Sequence, residues 1–317
     1  MQQAHGLPLA RFPVLVLLAV LAVPVASAQT SAGPVDVRVD LHVISFGNYD
    51  VNKGTYTMDL YLHLWYDNAT APDGFDPTQF EFMNGRASSQ QLLEDSSNGT
   101  TRDLWYRIQA NLYSEPRFAR FPFDRQELRL VLEHASHPAS ELRFVESLSG
   151  NGLDDEVRVA GWRIRATHAE VSDKSYPFDE DYSRFTYTVD IGREPLSAAL
   201  RSFLPPLAFM VVSGLSFFLH PSKIGQRITF GTSMLISAVG FHVSQTVSLP
   251  TLGKLTLFDQ LMLSCYAFLA ASLAVTSLIS HNEDIWKKEG ASERYNRIGF
   301  LASLALPFVV FGLLRLM

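Results

Sequence analysis

An exported β-sandwich followed by a bundle of four membrane helices is the fold that the sequence predicts. Three observations predict it. From Val35 to about Arg193 apolar residues recur at every second position. Four long apolar segments without a formal charge come after it. The charge is split the same way: residues 29–195 hold 16 basic and 27 acidic side chains, a net of −11, whereas the chain after Leu196 holds nine and five. Charged residues make up 18% of the chain, below the roughly 25% of a soluble domain. That distribution excludes a uniform soluble domain and a basic nucleic-acid binder. Cys265 is the only cysteine, so no disulfide framework exists within the chain.

The N-terminal residues 1–28 read as a signal peptide. Arg11 precedes an apolar run from Phe12 to Val25, and Ala26-Ser27-Ala28 has the small-x-small form of a cleavage site. Residues 29–194 then read as the sandwich, outside the cytoplasm. Tyr56, Met58, Leu60, Leu62, Leu64 and Tyr66 alternate with polar neighbours, as do Leu104 to Leu112, Leu128 to Leu132 and Phe185 to Ile191. Period two turns one face of a strand to a core and the other to water. Turn signals such as Pro72-Asp73-Gly74 and Gly150-Asn151-Gly152 separate the runs. Trp65 and Trp162 are expected in that core. Asn68-Ala69-Thr70 and Asn98-Gly99-Thr100 match a glycosylation sequon, a short pattern that carries little weight.

Residues 195–317 read as the membrane domain, with helices at about 197–220, 224–248, 256–281 and 293–316. The uncharged segments 202–220, 228–253, 260–282 and 298–314 approach the ~20 residues that a helix needs to cross the hydrocarbon core. Lys223 and Arg227, then Lys287, Lys288, Arg294 and Arg297, mark two loops as cytoplasmic. This places the β domain on the opposite side of the cell inner (plasma) membrane, in agreement with the signal peptide.

The second span is the polar one. Thr229, Ser233, Ile236, Gly240, Val243 and Val247 are spaced 4, 3, 4, 3, 4 and share one helical face. Small and hydroxyl residues of this kind serve helix packing. They also serve a pore, where hydroxyls replace part of an ion's hydration and a ring of Ile236 or Val243 gates by dewetting. One helix cannot enclose water, so the pore reading requires several subunits around an axis.

These motifs resemble those of the bacterial pentameric ligand-gated ion channels, homologues of the Cys-loop receptors. Phe121-Pro122-Phe123-Asp124-Arg125-Gln126-Glu127-Leu128 is similar to the Cys-loop element without its cysteines. Trp65-Tyr66-Asp67 resembles the end of the second strand, and Gly161-Trp162 the start of the ninth. Arg193 stands where the family has an arginine before the first span, and Pro205 or Pro206 matches that span's proline. Arg227 through Leu249-Pro250 and Phe258-Asp259-Gln260 resembles the second span, its outer loop and the third span's start. The resemblance implies an extracellular ligand-binding sandwich and a homopentamer. Its pore-lining positions would be Thr229, Ser233, Ile236, Gly240, Val243 and Val247. It implies a domain-coupling site of Asp50, Asp124, Arg193 and Pro250, in which Asp50 and Asp124 flank Arg193; a static salt bridge is the other reading of that trio. The expected partners are membrane lipid, permeant ions and a small agonist or protons, with no nucleic acid, cofactor or metal.

Two departures bear on gating and selectivity. The stretch from Trp65 to Phe121 is short for the family and lacks a W-x-P element. The remaining aromatic wall, Tyr176, Phe178 and Tyr182 beside Asp173, Asp179, Glu180 and Asp181, suits an amine cation or is a solvated acidic hairpin tip. Protons are the other agonist, acting on the outer-domain acids and on His42, His63, His134, His137 and His168. His242 is expected to pack against neighbouring helices, and a histidine within a span is also a candidate proton sensor. At the inner mouth Gly225 and Gln226 stand where cation channels of the family carry a glutamate before Arg227. The acidic outer domain favours cations nonetheless. Enzyme motifs are nearly absent: there is no phosphate loop and no H-E-x-x-H, and His134 and His137 have metal-like spacing without further ligands. A transporter would need broken helices or buried charges. A non-conducting sensor of the same architecture remains the alternative.

Overall fold

The computed structural model describes residues 33–316 except 148–149, 178–179, 248, 251 and 283–290. The expected signal peptide and most of the linker between the last two spans lie outside the described residues. Ten strands come first: β1 (Val35–Asp50), β2 (Thr55–Asp67), β3 (Phe80–Phe82), β4 (Gly85–Asn98), β5 (Thr101–Tyr113), β6 (Arg125–His134), β7 (Leu142–Glu146), β8 (Gly152–Leu153), β9 (Arg163–Lys174) and β10 (Tyr182–Gly192). One sheet has the order β4-β5-β2-β1-β7 with β8 paired to β1; the other has the order β3-β6-β10-β9. The two sheets share one core. Val35 to Val43 of β1, Tyr56 to Tyr66 of β2, Leu104 to Leu112 of β5 and Leu128 to Leu132 of β6 are buried at every second residue, and Phe185 to Val189 of β10 are buried without a break. The period-two pattern thus becomes the sandwich interior.

One feature differs from expectation. Trp65 faces outward and is half-buried, with the Arg38 guanidinium 4.7 Å from its ring centre. Parity decides this: Leu62, Leu64 and Tyr66 take the core face of β2, so the residue between Leu64 and Tyr66 cannot. Trp162 is partly buried and packs on the core. The outer strand β4 buries almost nothing along its 14 residues.

Four helices follow: α1 (Pro195–Leu215, extended by a 3-10 turn at Ser216–Phe218), α2 (Ile224–Thr246), α3 (Leu257–His281) and α4 (Ala291–Leu316). Pro195 opens α1 at a position where its missing N–H costs nothing. Thr256 caps α3: its hydroxyl accepts from the Asp259 amide, and the Asp259 carboxylate accepts from the Thr256 amide. Helices α1, α3 and α4 are long and apolar enough to cross a membrane. Helix α2 is not among them, because hydroxyls, His242 and Gln245 dilute its apolar residues.

The sandwich meets the helices through the loop before β6. Phe118 and Phe121 join a buried cluster with Phe258, Met262 and Cys265 of α3 and Ala238 of α2. The Phe258 amide donates to the Phe121 carbonyl over 3.1 Å. The rings of Phe121 and Phe258 meet edge-on at 5.9 Å, and Phe123 stacks on Phe203 of α1 at 5.6 Å. The Phe121–Pro122 peptide is cis.

Candidate functional site

The stripe on α2 is exposed along its whole length. Thr229, Ser233, Ile236, Gly240, Val243 and Val247 all face away from the other helices; Ile236 is 73% exposed, Val243 56% and Val247 80%. The opposite face carries Gly231 and Ala238, buried against α3 and its neighbours. Two hydroxyls of the exposed side, Thr229 and Ser237, donate to carbonyls one turn back, at 2.9 Å each. Their own helix satisfies them, and their lone pairs point outward. Arg227 is turned inward: its guanidinium donates to Asn296 of α4 and lies 5.5 Å from the Phe217 ring. The first turn of α2 therefore exposes Gly225 and Gln226 rather than this charge.

At the other end of the helices a buried ion pair joins β10 to β6. Arg193 Nε lies 2.7 Å from Asp124 Oδ1, and the Asp124 side chain has no exposure. Gln126 Nε2 donates to the second carboxylate oxygen over 2.9 Å, and its amide also bonds the Arg117 backbone in both directions. Both oxygens of Asp124 are thus occupied, as a buried carboxylate requires. The guanidinium lies over Trp162 at 4.6 Å and over Phe121 at 5.3 Å. Tyr49 meets Trp162 edge-on at 5.7 Å. Burial, then the nearby Asp124 charge, push the Tyr49 phenol well above its usual range. Val51, Leu249 and Leu252 pack on the cluster of Phe118 and Phe121, so the β1–β2 turn and the α2–α3 loop reach the same place.

The expectation that Asp50 forms the second flank of Arg193 is corrected. Asp50 spends its carboxylate on its own turn, accepting from the amides of Asn52 and Lys53 at 3.0 and 3.2 Å and pairing with Lys53 Nζ at 3.4 Å. The Lys53 amide comes first among the causes that lower its pKa. Among the described residues, Asp124 is the one carboxylate paired with Arg193. Pro250 lies half-buried in the α2–α3 loop, beside Leu249.

The residues of the expected aromatic wall are only partly described. Phe178 lies outside the described residues. Tyr176 and Tyr182 meet edge-on at 6.0 Å instead of enclosing a space. The Lys174 ammonium sits 5.9 Å from the centre of the Tyr176 ring. The Tyr176 hydroxyl donates to Glu133 over 2.8 Å, and Glu133 is paired with Arg184 at 2.5 Å. The chain's own Lys174 and Arg184 thus lie beside this aromatic pair.

The histidines separate by partner. His134 is held neutral: its Nδ1 accepts from the amides of Ser136 and His137, while Nε2 donates to the Asp76 carbonyl over 2.8 Å. Burial comes first in lowering its pKa. The His134–His137 spacing serves this turn; no cluster of metal-ligating residues occurs among the described residues. His63 lies between Asp40 and Asp103, with ring nitrogens at 3.2 and 3.1 Å. His242 bridges α2 to α3: Nε2 is 3.0 Å from Asp259 and Nδ1 is 3.1 Å from the Tyr266 hydroxyl. From the sequence alone Tyr49, Gln126 and Asp259 carry no assigned role; Gln126 and Asp259 stand only within motifs that resemble the family's, and Asp259 is also the last residue of a Thr-x-x-Asp capping box.

No protein-family model matches the chain. It is 24% identical over 310 residues to a proton-gated ion channel of Gloeobacter violaceus, covering 88% of this chain and 84% of that one. It is 25% identical over 213 residues to pH-sensitive chloride channel 2 of Drosophila melanogaster, covering 64% of this chain and 40% of the relative. With the human gamma-aminobutyric acid receptor subunit alpha-3 it shares 23% over 285 residues, 80% of this chain and 57% of the receptor subunit. The chain thus spans about half the length of these animal relatives and most of the bacterial one. Its homologues are ligand-gated ion channels of the pentameric, Cys-loop type, a family without enzymes.

Proposed function

We propose that this homologue of the pentameric ligand-gated ion channels is one subunit of a homopentamer that opens to extracellular protons and passes monovalent cations. One observation carries the reading. Among the described helices, α2 is the one that is not long and apolar enough to cross a membrane by itself, and it leaves Thr229, Ser233 and Gly240 with Ile236, Val243 and Val247 on one unpacked stripe. Five such helices around an axis turn that stripe to water and shield it from lipid. Thr229 and Ser233 then line the inner half, Gly240 and Val247 the outer half, and the rings of Ile236 and Val243 form the gate by excluding water. The unit sits in the cell inner (plasma) membrane with the sandwich outside the cytoplasm.

Protons are preferred over an amine because Lys174 and Arg184 already engage Tyr176 and Glu133. His242, which bridges α2 to α3 through Asp259 and Tyr266, is the candidate receiver within the span. The Asp124–Arg193 pair, with Pro250 and its loop nearby, transmits the outer domain's change to α2 and α3. Cation preference follows from the acidic outer domain, five copies of a net −11, with Arg227 turned from the pore. Two pH-sensitive relatives bear the name of chloride channels, and the absent inner carboxylate ring agrees with that second reading. A planar-bilayer recording in asymmetric salt, stepped from about pH 7.5 to about pH 4, decides both points. Current on acidification with a reversal potential at the cation equilibrium is expected. If neither the native protein nor Ile236→Ser conducts at any pH, the chain is a non-conducting sensor of the same architecture.

A further inference from the structure

The outer domain is acidic, yet its helix-facing end holds a cavity of about 500 Å³ walled by four arginines, Arg117, Arg120, Arg125 and Arg165. They come from two places, the loop before β6 with its first residue and the start of β9. The acids in the wall are mostly committed elsewhere. Asp124 is taken by Arg193 and Gln126. Glu127 is taken by Arg117, at 2.7 Å, and by Arg129. Among the described residues no carboxylate pairs with Arg120, Arg125 or Arg165, and Asp190 is the one acid left in the wall to offset three guanidiniums.

The backbone is shaped for this arrangement. Gly192 of β10 pairs in register with Arg125, and a Cβ built on Gly192 would stand 2.3 Å from Arg165 Nε. The missing side chain at Gly192 leaves room for Arg165 to lie across the end of β10, on the side where Arg125 begins β6. Ala119 and Ala166, also in the wall, leave the space between the guanidiniums open. Converging like charges repel unless an anion neutralises them. Planar guanidinium forks match the oxygens of a phosphate two at a time.

We propose that this cavity binds a phosphate-class oxyanion held by Arg120, Arg125 and Arg165. The occupant ties the loop before β6 to β9, next to the Asp124–Arg193 pair. Its source is either a free oxyanion or the phosphate of a lipid headgroup, because Phe123, two residues before Arg125, stacks on Phe203 of α1. The site stands on geometry alone and does not depend on the chain conducting ions.

The test uses the full chain in detergent. Inorganic phosphate is titrated against chloride of matched ionic strength, and the melting temperature is followed. A saturable, phosphate-specific rise is expected. Arg125→Gln/Arg165→Gln shifts its midpoint to about tenfold or more phosphate, since two charge-assisted contacts are lost. Asp190→Asn moves it the other way, and Arg143→Gln, on the other sheet and paired with Asp36, leaves it unchanged. A second arm compares nanodiscs of phosphatidylglycerol with phosphatidylcholine. Stabilisation by the anionic lipid that the double variant abolishes, without an effect of free phosphate, identifies the headgroup as the source. No response in either arm, or a response that the double variant and Asp190→Asn leave unchanged, overturns the proposal.

Discussion

Replacing Asp124 by Asn tests how firmly the outer domain holds its last strand to the helices. The substitution keeps the shape of the side chain and an oxygen for Gln126, but removes the charge 2.7 Å from Arg193. Breaking a buried pair from one side costs about 3–5 kcal/mol, because the other charge is left without its partner. Here the lower end applies. Arg193 retains 28% exposure to water, and its stacking on Trp162 and Phe121 survives. About 3 kcal/mol in local opening is about two orders of magnitude in amide exchange. The Arg193 amide, which donates to the Asp124 carbonyl, lies in the segment that would report it. Hydrogen–deuterium exchange on peptides covering residues 117–127 and 188–194 makes the measurement. Arg193→Gln should show a similar loss, and the double variant less than the sum of the two. Strict additivity, or unchanged exchange in both single variants, would refute the coupling of the pair.

His134→Gln should flatten the acid limb of the melting curve. The folded-state pKa of His134 is lowered, so its contribution is present above the free value of about 6.5 and is lost as pH falls below it; a native acid limb unchanged by the variant would show that His134 is not its source. Gly54→Ala should cost about 2 kcal/mol, seen as a lower melting temperature, because Gly54 has φ +69° and its Cβ would meet the Ser114 carbonyl at 2.2 Å. Gln226→Glu should move the reversal potential toward the cation equilibrium in asymmetric salt; no movement would place Gln226 off the permeation path. Tyr176→Phe should cost about 1 kcal/mol through the bond to Glu133 and leave the pH of half-activation unchanged, whereas a shifted activation curve would restore that hairpin as an agonist site.

Much of the fold was legible because it rests on periodicity. Alternation in Tyr56 to Tyr66 marks the buried face of β2, and the same rule, applied strictly, already excludes Trp65 from the core; its size and apolarity misled. The α2 stripe was legible from spacing alone, since side chains three and four apart share a face whatever surrounds the helix. What stayed hidden depends on where a polar side chain finds its nearest donor. Asp50 looked like a partner for a distant arginine, yet two amides of its own turn reach it first. Tyr176 looked like a ligand wall, but hairpin pairing sets Lys174 opposite Tyr182 and brings the ammonium over the neighbouring Tyr176 ring. His242 and Asp259 are 17 residues apart in sequence, and only the antiparallel return of α3 makes them neighbours.

The modest apolarity of α2 also constrains how the protein is made. A segment that partitions poorly into hydrocarbon by itself does not wait there for companions. On the proposed arrangement it enters the bilayer leaning on α3, against which Gly231 and Ala238 pack, and insertion is then cooperative from the second helix onward. A substitution on the packed face of α2 is expected to show itself first as failed insertion and degradation, before any defect in the finished protein can be measured.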